Sequence, residues 1–304
     1  MKPHVLFLVG PTAVGKTDIA AKLAGKINAE VISCDSMQIY KGMDILTSKP
    51  TAAIKKRIPH HLFDLVLPTK NYNVSRYSKE ANIKIRKILG RGRVPLIVGG
   101  TGFYSGALTD GIFKVKSENS KIRKELYKQA ESLGGASLHK KLKKVDPRAA
   151  SKIHPNDTRR IVRALEVYRV TGKPISELQK ERKGLRGKYR LKIFCLNMQR
   201  GKLYQKIDNR VDRMFRQGLL SEVKRLLKKG LSRTAAAAIG IKEIKGYLDG
   251  AYDLEEAKRL IKRNSRRYAK GQLTWFRRDK AIVWINIKDK ESPADTVRRI
   301  LNKL

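Results

Sequence analysis

Val5-Leu6-Phe7-Leu8-Val9-Gly10-Pro11-Thr12-Ala13-Val14-Gly15-Lys16-Thr17 is the stretch on which the reading of the whole chain turns. Its first five residues form a continuous apolar run, the pattern of a strand covered on both faces. Its last eight satisfy G-x-x-x-x-G-K-[ST] in full. Directly behind it, residues 18–26 carry apolar side chains at helical spacing, Ile19 and Leu23, continued by Ile27. A strand, a glycine-rich turn and a helix in that order are the context a phosphate-binding loop requires. The glycines let backbone N–H groups converge on phosphate oxygens, and the helix N-terminus adds partial positive charge. Lys16 is expected to neutralise a terminal phosphate, and the Thr17 hydroxyl to ligate Mg²⁺. The motif implies a phosphorylated ligand and leaves open whether that ligand is a nucleoside triphosphate.

Working outward, residues 30–34 and 94–98 read as further strands, the second stopping at Gly99-Gly100. Strands alternating with helical patterns predict an α/β fold, a P-loop core with a parallel sheet flanked by helices. From residue 116 to 190 the character changes. That segment holds 22 Lys and Arg against 8 Asp and Glu and is helical in pattern throughout. Turns fall at Gly134-Gly135, Asp146-Pro147 and His154-Pro155. One helix is well punctuated, with Asn156 as its cap and Gly172 followed by Lys173-Pro174 as its stop. Residues 192–196 return to the sheet, two or three helices follow, and residues 281–285 supply a last strand. The predicted organisation is a core in two parts, residues 1–115 and 191–304, interrupted by a basic helical insertion over 116–190.

Composition narrows the class further. The 304 residues include 69 Lys and Arg against 27 Asp and Glu, a formal charge of +42. At 41% hydrophobic and 32% charged, the chain is too apolar for disorder and too charged for a membrane bundle. No apolar run approaches the ~20 residues of a membrane helix. The run at residues 5–9 is also shorter than a signal peptide needs. Cys34 and Cys195 lie far apart, which excludes a disulfide framework and a zinc finger, and the five histidines show no ligand spacing. A cytoplasmic, monomeric protein that stays off membranes is expected. So large a positive charge predicts a polyanionic partner.

The rest of the loop's surroundings limits the chemistry. No apolar run ends in paired Asp-Glu, and no Asn-Lys-x-Asp motif for reading guanine is present. The acidic residue at a strand end near the loop is Asp35, in Ser33-Cys34-Asp35-Ser36. Carboxyl ends of strands face the ligand crevice in a doubly wound sheet, so Asp35 is a metal-associated residue or a general base, or it caps a local turn. Gly99-Gly100-Thr101-Gly102 ends a strand and opens onto the same crevice, either as a plain turn or as a site offering the Thr101 hydroxyl.

Taken together these residues resemble one family, the tRNA dimethylallyltransferases, also called tRNA isopentenyltransferases. The resemblance rests on the loop at residues 10–17, Asp35-Ser36-Met37-Gln38-Ile39-Tyr40-Lys41-Gly42-Met43-Asp44, and Val98-Gly99-Gly100-Thr101-Gly102-Phe103-Tyr104. It continues through His154-Pro155-Asn156-Asp157, residues 159–167 and Gln272-Leu273-Thr274-Trp275-Phe276, in the family's order and over most of the chain. It implies transfer of a dimethylallyl group from dimethylallyl diphosphate to N6 of the adenosine just 3′ of the anticodon in tRNA. The added zinc finger of eukaryotic relatives is absent, which points to the shorter bacterial form. The chain departs from the family pattern at Leu46, Ile241 and Gly271, none of them in the motifs that carry Lys16, Thr17, Asp35 and Thr101.

By that resemblance, Gly10, Pro11, Thr12, Ala13, Val14, Gly15, Lys16 and Thr17 hold a diphosphate leaving group, with Arg210 beside it. The allylic carbon leaves with carbocation character, so stabilising the departing charge helps most. Lys16, Asp35 and Thr101 are the expected catalytic residues, with Asp35 taking the proton of the weakly nucleophilic exocyclic amine. The implied tRNA contacts are Asp35, Ser36, Met37, Gln38, Thr101, Arg123, Arg159, Arg160, Ile161, Val162 and Arg163. Gln38 has the carboxamide that pairs with an adenine edge. Reaching that adenine requires taking it out of the anticodon-loop stack.

Arg159 and Arg163 share a helix face, and Arg259, Arg263, Arg266, Arg267 and Lys270 fall on another. Each alone reads equally as a solvated surface residue; the full set of charges suits a polyanion. Trp275 and Phe276 are expected in the core. Isopentenyl transfer to free adenine nucleotides, a P-loop kinase of a small metabolite and a non-catalytic RNA-binding protein are the competing readings.

Overall fold

The computed structural model describes residues 2–113 and 120–304. The chain divides into two compact units, Met1–Thr109 with Lys188–Leu304, and Asp110–Gly187. The boundary expected between residues 115 and 116 lies outside the described residues.

The first unit is built on a six-stranded parallel sheet: β1 (His4–Val9), β2 (Ala29–Ser33), β3 (His60–His61), β4 (Val94–Gly99), β5 (Arg190–Asn197) and β6 (Ile282–Asn286). Their spatial order is β3-β2-β4-β1-β5-β6. β1 lies between β4 and β5, with Leu6 opposite Leu96 on one side and Phe7 opposite Ile193 on the other. This central position explains its unbroken apolar sequence, since helices cover both faces of a parallel sheet. Five of the strands stand where the apolar runs predict them. β3 was not foreseen, because two adjacent histidines carry no hydrophobic period. It is tied to the sheet through His61, whose Nε2 meets the buried Glu30 carboxylate at 2.5 Å; that carboxylate also accepts from Arg91 at 2.7 Å.

Helix Lys16–Lys26 buries Ile19, Ala20, Leu23 and Ala24. Its apolar stripe joins Leu8, Leu96, Phe194 and, from the C-terminal helix Pro293–Leu301, Val297 and Ile300 in one cluster. Leu23 is fully buried there, so Leu23→Ala would cost about 2–5 kcal/mol through the cavity left in that cluster. Between β5 and β6 the chain forms four helices where two or three were expected: Arg200–Arg216, Leu219–Lys229, Ile241–Leu248 and Leu254–Phe276. The short third one follows a poorly punctuated alanine run, and its start is secured by Glu243 accepting the Gly240 N–H at 2.7 Å.

The second unit is helical. Ser120–Val145 is broken at Gly134, and Leu126, Leu138 and Leu142 pack against Ile161, Val162 and Leu165 of helix Thr158–Thr171. Asn156 does not cap that helix. Asp157 does, accepting the Arg160 N–H at 3.2 Å, while the Asn156 N–H turns back to His154 Nδ1. The turn after Pro155 simply takes one more residue before the helix begins. Gly172 ends it as expected. Among the described residues no helix is long and apolar enough to cross a membrane.

Candidate active site

Parallel strands present their carboxyl ends on one edge, and the phosphate-loop motif follows β1 there. Gly10 has φ 147°, and a Cβ on it would lie 2.7 Å from the Leu196 carbonyl oxygen on β5, so only glycine fits. The loop runs into helix Lys16–Lys26 through Gly15. Lys16 folds back over the loop, its Nζ donating to the carbonyls of Gly10 at 3.0 Å and Pro11 at 2.7 Å. Burial lowers its pKa to about 8, an effect that nearby Asp35 offsets in part and Arg210 reinforces. Arg210, on helix Arg200–Arg216, donates from Nη1 to the Thr12 hydroxyl at 2.5 Å. Its pKa is also lowered by burial, with Asp35 acting in the opposite sense. Two partly buried cations near one carboxylate leave the loop short of negative charge, which is what an incoming anion supplies.

Asp35 follows β2, its Oδ1 accepting the Met37 N–H at 2.9 Å. The ends of β2 and β4 are laced together here. Cys34 N–H donates to Val98 O at 2.7 Å, Thr101 N–H to Cys34 O at 3.2 Å, and Ser36 N–H to Thr101 Oγ1 at 3.1 Å. Asp35, Ser36 and Thr101 are therefore held as a unit. Gln38 is engaged at both ends: Oε1 accepts from the Ser33 hydroxyl at 3.0 Å, and Nε2 donates to Thr47 O at 3.3 Å and Ser48 O at 3.4 Å. The last two are long bonds, readily exchanged for a better acceptor. A cavity of about 1170 Å³ is lined by Thr12, Lys16, Thr17, Asp35, Gln38 and Arg210 among others, so these sequence-predicted residues do share one cleft.

Several residues that the sequence analysis gave no role complete the cleft. Tyr268 and Gln272, one turn apart on helix Leu254–Phe276, both line it, and the Tyr268 phenol interacts with the side chains of Thr101 and Gln272. Lys206 and Arg213 line it one turn to either side of Arg210, a spacing of i−4 and i+3 that could have marked them. Glu222 receives the backbone N–H groups of Asp44, Ile45 and Leu46 at 2.9–3.1 Å and so anchors the segment after Gln38. Nothing in its own helix signals that long-range cap.

The remaining predicted contacts lie in the second unit. Arg159 and Arg160 are exposed, and Arg160 pairs with Asp157 at 3.2 Å. Ile161 and Val162 are core side chains, 0% and 1% exposed, which leaves their helix neighbours to meet any ligand. Arg123 and Arg163 meet on Glu166. The basic stripe late in the chain is partly paired: Arg266 grips Asp208 at 2.6 Å and the exposed Arg259 binds Glu256 at 2.5 Å, while Arg267 and Lys270 are exposed. Phe276 is core as expected. Trp275 is half-buried, edge-on to the exposed Phe103 at 6.4 Å.

The donors suited to a metal here are oxygens. Among the described residues no group of three or more His, Cys, Asp or Glu side chains could hold one. A hydroxyl from Thr17, a nearby carboxylate and phosphate oxygens form the hard set that Mg²⁺ takes when it binds mainly through its substrate and water, so the residues present fit that ion.

Residues 38–279 match the family described as IPP transferase, and residues 3–58 match that described as isopentenyl transferase. The chain is 49% identical to a tRNA dimethylallyltransferase of Natranaerobius thermophilus, over 94% of this chain and 87% of that one. With the tRNA dimethylallyltransferase of Carboxydothermus hydrogenoformans the identity is 48% over 100% and 98%. Among solved structures, the full-length tRNA isopentenylpyrophosphate transferase of Bacillus halodurans aligns with a TM-score of 0.74 at 42% identity, covering 100% of this chain and 95% of that one. A eukaryotic dimethylallyltransferase solved acting on tRNA aligns with a TM-score of 0.84 at 32% identity, over 98% and 78%. Identity at this level along the full length, joined to a loop and cleft of this construction, makes the chain a member of the IPP transferase family.

Proposed function

We propose that this protein transfers the dimethylallyl group of dimethylallyl diphosphate to N6 of the adenosine 3′-adjacent to the anticodon in tRNA. The observation that carries the reading is the meeting of two sets of residues in one cleft: a phosphate loop with Lys16 and Arg210 on it, and Asp35 at the end of β2, whose neighbour Ser36 is bonded to the Thr101 hydroxyl after β4.

The loop amides, Lys16 and Arg210 bind the diphosphate and stabilise the charge that grows on it as the C1–O bond breaks. Thr17 is the residue that would hold Mg²⁺, which would neutralise part of the diphosphate charge. As N6 attacks C1 and the C–N bond forms, the amine becomes cationic; Asp35 accepts one N6 proton, restoring neutral nitrogen, while the C–O electron pair leaves with the diphosphate. Thr101 and Ser36 fix where that amine stands. Gln38 reads the adenine edge by giving up its two long bonds to Thr47 and Ser48. Arg123, Arg159, Arg160 and Arg163, in the basic helical unit, supply phosphate contacts to the tRNA.

The test is label transfer from radiolabelled dimethylallyl diphosphate with Mg²⁺ into unmodified tRNA whose anticodon is followed by adenosines, with AMP and ATP as parallel acceptors. Label in tRNA is expected, falling about 10²–10⁴-fold in Asp35→Asn, the range of a lost general base. Label only in the nucleotides would move the protein to the small-acceptor class. No label in any acceptor would sink the transferase reading.

A further inference from the structure

Gln272 joins the two halves of the cleft. It is 5% exposed and uses both ends of its carboxamide. Oε1 accepts the Thr12 backbone N–H at 2.9 Å, and Nε2 donates to the Gly100 carbonyl at 2.8 Å. These partners are 260 and 172 residues away in sequence. One belongs to the phosphate loop, the other to the turn that carries Thr101. The approach is so close that a Cβ on Gly100 would lie 2.1 Å from Gln272 Nε2, so a side chain there would displace the carboxamide from this contact. Thr12 is consequently gripped twice, through its amide by Gln272 and through its hydroxyl by Arg210.

A carboxamide is the side chain that can do this, since it offers an acceptor and a donor about 2 Å apart in one rigid plane. Among the described residues, no other side chain bonds both to the phosphate loop and to the Thr101 turn. We infer that Gln272 is a positioning residue: it sets the spacing between the loop that holds the phosphorylated donor and the Thr101 turn that places the acceptor.

The inference rests on the transferase reading for its kinetic consequence, because only a two-substrate displacement depends on the distance between the two halves. Displacements of about 1 Å at reacting atoms cost on the order of 100-fold. Removing the carboxamide should therefore lower kcat by about 10–100-fold while the KM values for dimethylallyl diphosphate and tRNA move by less than about threefold. A side chain that merely helps the helix pack would lower the melting temperature and leave kcat per folded molecule unchanged.

Two variants separate these roles. Gln272→Met removes both bonds at nearly constant volume. Gln272→Glu keeps the acceptor for Thr12 N–H but sets an oxygen against the Gly100 carbonyl, and it serves if the first variant folds poorly. Kinetics are paired with a readout that needs no transfer, the hydrogen exchange of backbone amides with and without inorganic diphosphate and Mg²⁺. In the wild-type protein diphosphate is expected to slow exchange both in residues 10–17 and in residues 99–103. In Gln272→Met the first segment stays protected and the second loses its protection. Protection of both segments in both variants would overturn the inference, as would a kcat within twofold of wild type, or no wild-type response in residues 99–103. A wild-type protein that protects both segments yet labels no acceptor would instead refute the transferase reading and leave the coupling standing.

Discussion

The Glu166 carboxylate binds Arg123 through Nε at 3.1 Å and Nη2 at 3.0 Å, so helix Ser120–Val145 and helix Thr158–Thr171 are joined by one buried acid. Arg163 reaches the same oxygen at 3.1 Å, and Glu166 is 1% exposed while both arginines keep a third or so of their surface. Its other oxygen, Oε1, has no hydrogen-bond partner. Without the negative charge, the two guanidinium groups would face each other across a neutral amide. Glu166→Gln is expected to destabilise the basic unit by about 2 kcal/mol, less than the 3–5 typical of a fully buried pair because solvent screens the arginines. Urea unfolding followed by a probe in that unit measures it; a change below about 0.5 kcal/mol would mean the two helices do not depend on the bridge.

Lys16 gives diphosphate binding a pH signature. Burial holds its pKa near about 8 in the free protein, and the cation is the form that binds an anion. A bound diphosphate raises that pKa, so binding takes up a proton, and affinity is full below pH 8 and declines above it by up to tenfold per unit. Calorimetry of dimethylallyl diphosphate in buffers of different ionisation enthalpy should detect the uptake at pH 8. Lys16→Met should bind more weakly and with a flat profile between pH 7 and 9. A wild-type affinity that is flat over that range would place the lysine's titration elsewhere.

The architecture was largely legible from residues 5–17, because strand, loop and helix there are each dictated by local chemistry: an apolar run, two glycines and a 3.6-residue period. The placement of Asp35 and Thr101 at the carboxyl ends of strands was legible for the same reason, each following an apolar run whose end must face the crevice. Gln272, Tyr268 and Glu222 were not. Their roles depend on partners more than 160 residues distant, and a polar residue on a helix looks the same whether it meets water or a buried carbonyl. For the late basic residues, helical spacing puts Arg259 and Arg266 on one face but does not show that Asp208 on a neighbouring helix pairs with Arg266. Leu46, a departure from the family pattern, proves to lie where a Cβ on Gly240 would approach within 2.6 Å of its Cδ1, a packing that no single-sequence pattern exposes.

Both cysteines should be chemically silent in the folded protein. Cys34 and Cys195 are fully buried, and burial pushes each thiol up to about 12. At pH 8 that leaves about one thiolate in ten thousand, and the thiolate is the reactive form. A thiol-reactive disulfide dye is expected to register no fast-reacting group in the native state and two after denaturation. A fast-reacting native thiol would mean that the ends of β2 or β5 open readily to solvent.

Charge on helix Arg200–Arg216 is sorted by direction, which predicts that Lys206 and Arg213 act as accessory anion binders. The acids of that helix turn to other partners, Asp208 to Arg266 at 2.6 Å and Asp212 to Lys262 at 2.6 Å. On the cleft side stand Lys206, Arg210 and Arg213, and among the described residues neither Lys206 nor Arg213 has a carboxylate partner. Both are exposed, so their pull on a phosphate is felt through water and falls with added salt. The double variant Lys206→Ala with Arg213→Ala should raise the KM for dimethylallyl diphosphate by about five- to tenfold at low ionic strength, with kcat within about twofold. As the Debye length contracts toward ~3 Å near 1 M salt, the difference from wild type should close. A difference that persists at high salt would mean direct, desolvated contact with the phosphate. A fall in kcat at unchanged KM would instead place the two cations at the transition state, where their attraction acts on the charge released with the leaving group.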